Sequence, residues 1–431
     1  MQASHSLDAL AVAFDDDHAV ASAGLVLTAT LAQHLGLEAV INDCVDLGRR
    51  PGHFLPGRKV MTLVHSMVAG GDFIDDADVL RCASTDEVLG HRVMAPSTLG
   101  TFLRSFTFGN VRQLDRVSEL AMTRAWAAGA GPGAGPMTID IDSTICEVYG
   151  YDKQGAAFGY TRVRGYHPMV ATRSGTGEVL HTRFRKGSAN TARGAQRFVR
   201  ETIGRVRRAG ATGPLTLRAD SGYWSGKVIK ACTDHDARFS ITVRQTTPTV
   251  AAIAEIDEGA WLRLEGYPEP GFAELAETTL DGHRLIVRRV SLVDPASVLI
   301  PHWRHHGLVT DLSGEAAELD ADHRRHAVVE LAIRELKAGG WAHCPSGDFA
   351  ANGAWSVIAT LAHNLLRWTA LIGEICDGPL VAKTVRRRQL GLPGRITRSA
   401  RRLTLHLPRR WPWQEAFDVA LTKLRAVRLA T

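Results

Sequence analysis

Three acids in this chain sit in settings where a carboxylate is costly to desolvate unless a cation compensates it. The stretch Met137–Thr144, MTIDIDST, alternates Met137, Ile139 and Ile141 with Thr138, Asp140 and Asp142, the period of two expected of a β-strand. Asp142 is followed by Ser143 and Thr144, whose hydroxyls can support a metal-bound carboxylate. Asp140 is on the same side of the strand, either as an outer partner or as the ligand itself. Asp220 ends LTLRAD (Leu215–Asp220), and Glu330 lies inside HRRHAVVELAIRELK (His323–Lys337), a predicted helix. Two acids at strand ends and one on a helix can meet around divalent metal. In-line displacement at phosphorus crowds negative charge on the attacking oxygen, the leaving oxygen and the phosphoryl group. Two Mg²⁺ ions about 4 Å apart stabilise both ends of that displacement. Hard cations of this kind take carboxylates rather than thiolates.

Each of these residues also has a plainer reading. Asp140 and Asp142 can line a solvated sheet face, and Asp220 can simply make a turn or cap a helix. His323, His326, Glu330 and Lys337 are spaced 3, 4 and 7 apart, which puts all four on one face of a continuous helix. That stripe reads as a phosphate-facing wall, with Lys337 as a point charge, or as a solvated face with i,i+4 pairing. Zinc is disfavoured, because no third soft ligand follows the two histidines at helical spacing.

The elements that must position these residues follow from periodicity. Leu25 to Ala128 reads as helical, with a break at Gly36, a helix over Arg58–Ala69, another over Met94–Phe106 and a later one over Ser118–Ala128. A short helix, a turn and the Met94–Phe106 helix would make a helix-turn-helix DNA reader or part of a plain bundle. The Gly/Pro/Ala run Ala127–Pro136 is the clearest boundary. Beyond it come strands Met137–Val148, His167–Arg173 and Glu178–Phe184, helix Asn190–Arg208, strand Leu215–Asp220, helix Ser225–His235 and strand Arg238–Arg244. That order predicts an α/β fold, a ribonuclease-H-like mixed sheet with flanking helices, in which the first and fourth strands lie side by side. Gln245–Pro301 breaks the alternation and reads as a β-rich insertion, with strands over Ala260–Leu264, Ala273–Leu280 and His283–Val293. GLVTDL (Gly307–Leu312) returns to the core, Asp320 or Asp322 is placed to cap the Glu330 helix, and Ala354–Leu371 is a further helix. The expected division is a helical DNA-binding region over 1–130, a catalytic core over 137–244 and 305–375, the insertion over 245–304, and a basic region over 376–431.

Composition sets the bounds. With 431 residues, 45% hydrophobic and 22% charged, the chain has the makeup of a globular protein of two to four domains. A net charge of +6 permits a polyanionic partner, and its distribution says more. From Lys383 to Arg410 run Arg386, Arg387, Arg388, Arg395, Arg398, Arg401, Arg402 and Arg409, with no acid among them. They are candidates for phosphate contacts, against the plainer reading of a solvated tail. Six scattered cysteines without a C-x-x-C pair fit a reducing compartment, and the start MQASHSLDALAVAFDDDH lacks the pattern of a signal peptide. A cytoplasmic protein is expected. Trp261 and Trp303 in the insertion are candidates to stack on a displaced base.

Several linked motifs then resemble one family. TIDIDST, FGYTRVRGYHPMVA (Phe158–Ala171), LRADSGYW (Leu217–Trp224), ELAIRELK and NGAWSVIATLAHNLLRW (Asn352–Trp368) occur in the order seen in bacterial insertion-sequence transposases of the DDE type, most like insertion-sequence family 1380. The resemblance spans nearly the whole chain. It implies a ribonuclease-H-like core with a β insertion before the last acid, Mg²⁺-dependent cut-and-paste DNA transposition in which Mn²⁺ can substitute, and a homodimer on two transposon ends. By position it assigns the catalytic, metal-holding triad to Asp142, Asp220 and Glu330. Relatives carry Tyr-x2-Arg-x3-Glu-x6-Lys on the last helix; here Glu330 and Lys337 match, while His323 stands for the tyrosine and His326 for the arginine. The alternatives are a DNA-binding relative that represses transposition without cutting, and a structure-selective nuclease of the same fold.

Overall fold

The computed structural model describes residues 7–48, 52–159, 162–267, 271–299, 302–375 and 380–428. Tyr160 and Thr161 of the Phe158–Ala171 block, residues 268–270 of the GYPEPG turn, and Cys376 lie outside the described residues.

After a short strand β1 (Ala19–Val20) the first part of the chain is helical: α1 (Leu25–His34), α2 (Leu37–Cys44), α3 (Pro56–Ala69), α4 (Thr85–Leu89), α5 (Pro96–Arg104) and α6 (Phe108–Ala125). The break at Gly36 is where the chain needs φ +61, which a side chain resists. Arg124 of α6 closes the open end of α1 by donating to the Leu35 carbonyl at 2.7 Å. The last long helix of this region starts ten residues earlier than the sequence reading placed it, at a Thr107/Asn110 capping box. The short α4 does precede α5, with Gly90 at φ 70 between them.

The sheet begins with β2 (Met137–Ser143), which stops short of the expected Val148; Ser143, still opposite Met169, is its last residue and donates its N–H to the Asp142 carboxylate at 2.6 Å. Three short strands, β3 (Cys146–Glu147), β4 (Ala157–Phe158) and β5 (Arg164–Tyr166), form a small separate sheet. Then come β6 (Met169–Arg173), β7 (Val179–Arg183), α7 (Ala195–Arg208), β8 (Leu215–Ala219), α8 (Gly226–Thr233) and β9 (Ala237–Thr242). β7, β6, β2, β8 and β9 lie in that spatial order, β2–β8–β9 parallel and β2–β6–β7 antiparallel. This is the ribonuclease-H-like arrangement that the strand order predicted.

The insertion contributes α9 (Thr247–Ala254), β10 (Leu262–Arg263), β11 (Phe272–Leu280) and β12 (His283–Ser291), followed by β13 (Arg304–Thr310). Its strands do not form a layer of their own. β13 pairs with both β9 and β12, so one nine-stranded sheet runs from β10 to β7. The chain closes with α10 (Ala316–Arg324), α11 (Val328–Leu336), α12 (Phe349–Ile372), α13 (Ala382–Val385), β14 (Gly394–Ser399), β15 (Arg402–His406) and α14 (Gln414–Ala426). α12 is apolar on nearly every side and correspondingly buried, packed on α3 and α6 and on β7. Its Asn364 side chain accepts from the Val179 N–H and donates to the Val179 carbonyl, both at 2.8 Å, which covers the edge of β7. Through α12 one hydrophobic core runs from Leu25 in the first helix to the sheet and on to Val427. The Ala127–Pro136 run therefore connects the helical region to the sheet without dividing the core.

Candidate active site

Register builds the site. In the parallel pair β2–β8, Asp140 lies opposite Arg218 and Ile141 opposite Ala219, so the next step along both strands sets Asp142 beside Asp220 at their carboxyl ends. Sites on open α/β sheets form at such ends. Ile139 and Ile141 point to the buried side, and the acids point to the face that α10 and α11 approach. Asp140 is fully committed there. Arg218 grips it with two hydrogen bonds, Nε to Oδ1 at 2.7 Å and Nη2 to Oδ2 at 2.9 Å, and His326 Nδ1 donates to Oδ1 at 2.9 Å. Burial alone would raise this carboxyl, but the hydrogen bonds from His326 and Arg218 outweigh it and hold it below the usual range. Arg218 also donates to the Asp322 backbone carbonyl and to Ser174 Oγ, tying β8 to α10 and to the turn after β6. Asp140 is thus a neutralised support rather than an open ligand.

Asp142 is the opposite case. Burial pushes its carboxyl up to about 6; the Ser143 N–H and His326 oppose, and the negative charges of Asp220 and Glu330 add to the rise. Asp220, capping the turn after β8 through the Gly222 N–H at 3.0 Å, is raised by burial as well, with Gly222, His326 and Arg244 opposing. Two carboxylates that burial makes reluctant to ionise, with hard oxygen donors and, among the described residues, no guanidinium clamped to either, are a donor set that a divalent cation suits. Glu330, in the first turn of α11, is exposed at the rim. Among the described residues no three His, Cys, Asp or Glu side chains are drawn together closely enough to hold one ion. Asp142 and Asp220 suit the role by position and chemistry; Glu330 is near enough for its charge to act on Asp142 but is not drawn into one group with the two aspartates.

The four-residue stripe over His323–Lys337 does not form. The expected single helix is divided, with α10 ending at Arg324, a 3-10 turn over Arg325–Ala327, and α11 running from Val328 to Leu336. Tighter winding shifts the phase between the segments, and tertiary hydrogen bonds fix the result. His323 is half-buried against β9, with Nδ1 2.7 Å from Ser240 Oγ and Nε2 2.8 Å from Thr242 Oγ1. Burial, aided by His326 and Arg218, drives its pKa down to about 3, so this imidazole is a neutral strut. Lys337 donates to the Ile145 carbonyl at 2.9 Å, holding the segment after β2. Asp320, read from sequence as a cap, is buried between Arg288 and Arg324.

Other neighbours of the acids lacked a periodic signal. Ser143 Oγ lies 3.0 Å from His167 Nε2 and 3.3 Å from Thr191 Oγ1, and buried Tyr223 stands behind both acids. The run DSGYW was the only hint of Tyr223.

The basic segment divides in two. Arg386 donates from Nε to the Val68 carbonyl at 2.9 Å and from Nη2 to the Met67 carbonyl at 3.0 Å, closing the end of α3. Its place among surface phosphate contacts is therefore corrected: the guanidinium is occupied by backbone. Arg387, Arg388, Arg401 and Arg402 are exposed; Arg395 lies 3.6 Å from Asp16, and Arg398 2.8 Å from Glu87. The insertion's tryptophans are also occupied. Arg289 is stacked between Trp261 and Trp303, 4.2 and 4.4 Å from the ring centres, and is paired with Glu274 and Glu258.

A family model for the transposase DDE domain, group 1, matches residues 3–429. No curated protein matches. Among solved structures, the chain is similar to the piggyBac transposase in a cryo-EM structure of its synaptic complex with hairpin DNA. Identity is 13%, over 85% of this chain and 79% of that one, with a TM-score of 0.46.

Proposed function

The chain belongs to the transposase DDE domain group 1 family, and from that premise we propose that it cuts DNA at transposon ends and joins them to target DNA by cut-and-paste. Its acids are Asp142, Asp220 and Glu330. In this reading the protein is like the bacterial insertion-sequence family 1380, works in the cytoplasm on double-stranded DNA, and uses Mg²⁺ or Mn²⁺. The observation that carries the reading is the contrast on β2. Asp140 is neutralised by Arg218 and His326, while Asp142, two residues on, is raised to about 6 and sits beside Asp220.

When bound, a pair of divalent ions supplies charge stabilisation to in-line displacement at phosphorus. The protein supplies the alignment. The N–H groups of Ser143 and Gly222 fix the rotamers of Asp142 and Asp220, and the Arg218–Asp140 pair locks the two strand ends in register. Lys337 holds the segment behind them, and Arg401 and Arg402 offer charge to the DNA backbone. The test is a cleavage assay on DNA carrying the element's terminal inverted repeats, with Mg²⁺. Asp220→Asn abolishes cutting and leaves end binding within about twofold; an Asn variant that cuts at the wild-type rate removes the triad from the mechanism.

One observation favours the second reading, a relative that binds ends without cutting. His323 and His326, at the motif's tyrosine and arginine positions, are spent on Ser240, Thr242 and Asp140. Under that reading the wild-type chain binds the repeats and leaves them uncut at every Mg²⁺ and Mn²⁺ concentration.

A further inference from the structure

The segment before β1 is exposed from Leu7 to Asp17; Leu7–Ala9 forms a single 3-10 turn, and Leu10 to Asp16 has no regular secondary structure. Its composition is not that of a solvated arm. Ala9, Ala11 and Ala13 alternate with Leu10, Val12 and Phe14, so an extended chain places the three large apolar side chains on one face. Val12 is 78% exposed and Phe14 entirely so. Three acids, Asp15, Asp16 and Asp17, follow at once. Among the described residues, the backbone of 11–14 makes no hydrogen bond. A strand-patterned stretch with open backbone groups and an apolar face is one half of a strand pairing.

The same structure holds a matching half. In the sheet β1-β14-β15, β15 is an outer strand paired only with β14. Leu403, Leu405 and Leu407 recur there at the same period of two. Leu405 and Leu407 extend the small core of Val20, Ala23 and Ile396, and Leu403 is 42% exposed. Arginine pairs stand at both ends of this stretch, Arg401–Arg402 and Arg409–Arg410. Three leucines on one face bracketed by arginines match three apolar residues followed by three aspartates, whichever direction the added strand runs.

A chain's own tail is poorly placed to make this pairing. Its own tail leads into β1, at the opposite edge of the same small sheet. A place outside β15 is three strand spacings from β1, about 14 Å. The Ala19 N–H to Asp16 carbonyl hydrogen bond keeps the turn Asp16–Ala19 closed, which limits its ends to about 7 Å. The two further residues back to Phe14 add about 7 Å. A straight line would barely suffice, and the real path must go round the hairpin.

We infer that residues 10–14 of one molecule add as a strand to the free edge of Arg402–His406 in a second copy of this chain, with Asp15 and Asp17 meeting the arginine pair at the end of that edge. The exchange is reciprocal and gives a two-fold dimer. It needs no DNA and does not depend on the three acids holding metal.

Sedimentation velocity on the full chain without DNA tests it. The wild type is expected to be a dimer at micromolar concentration, with salt weakening it. Val12→Glu with Phe14→Ser, or Leu403→Glu alone, shifts it to monomer, each with unchanged thermal melting. Mixing the tail variant with the Leu403→Glu variant restores a dimer, because the mixed pair keeps one intact tail and one intact edge. Asp15→Lys with Asp17→Lys weakens association at least tenfold, and Arg401→Glu with Arg402→Glu or Arg409→Glu with Arg410→Glu, whichever pair the tail meets, recovers it. A wild type that stays monomeric at tens of micromolar, a dimer indifferent to the tail variant, or a mixture that fails to associate overturns the inference. Cleavage of terminal repeats by the monomeric variants is read separately, so failure of the interface and failure of the catalytic reading are distinguishable.

Discussion

Asp140 and Asp142 share a strand, a face and a side-chain type, yet one is held low by Arg218 and His326 and the other is raised to about 6. The raised value has a thermodynamic sign. Between the ordinary value of 3.8 and about 6 the folded chain binds a proton that the unfolded chain has lost, so this group's contribution to stability falls as pH rises through that window. Asp142→Asn removes the penalty. In the presence of chelator the variant should be more stable than wild type above pH 6, by about 1–3 kcal/mol, and equal to it near pH 4, as measured by urea denaturation. Adding Mg²⁺ should raise the melting temperature of the wild type and not that of the variant. From sequence, strand alternation was enough to mark both acids, but not to tell them apart. The cation that separates them, Arg218, lies 78 residues away and is delivered only by the β2–β8 register.

At the scale of elements, period-two and period-3.6 patterns located the strands of the central sheet and most helices, and strand order gave their arrangement. The helix carrying Glu330 was misjudged because periodicity describes a helix in isolation. Hydroxyls on β9 and a carboxylate on β2 pull His323 and His326 to different neighbours, and the backbone tightens between α10 and α11 to allow it. A second tertiary tie was likewise silent in the sequence. The fully buried Glu178 carboxylate accepts from the indole N–H of Trp126 at 2.8 Å and of Trp368 at 2.7 Å, joining the end of α6 to α12 beside β7. Burial raises this carboxyl above its usual range despite both indoles and Arg173. Glu178→Ala strands two buried donors and should cost about 3–5 kcal/mol. Glu178→Gln, which keeps the accepting oxygen, should cost under about 1.5 kcal/mol in the same urea titration.

For the whole molecule, charge composition pointed to the Lys383–Arg410 run but could not say which arginines face outward. The structure sorts them, and the sorting is measurable. Replacing Arg401 and Arg402 with glutamine should lower the slope of log affinity for DNA against log salt by about 2, at unchanged stability. Arg386→Gln should leave that slope alone and lower stability instead, since its guanidinium closes α3. The domain plan drawn from the sequence took the Gly/Pro/Ala run as a divide, but α12 packs against the helices before it and the sheet after it.

The unbroken ladder from β10 to β7 has a mechanical corollary. A lobe grafted on by a loop can swing; a lobe woven into the same hydrogen-bonded fabric as Asp220 has no pivot of its own. β10–β12 and the carboxylate-bearing strand ends are therefore held in one continuous ladder of backbone hydrogen bonds.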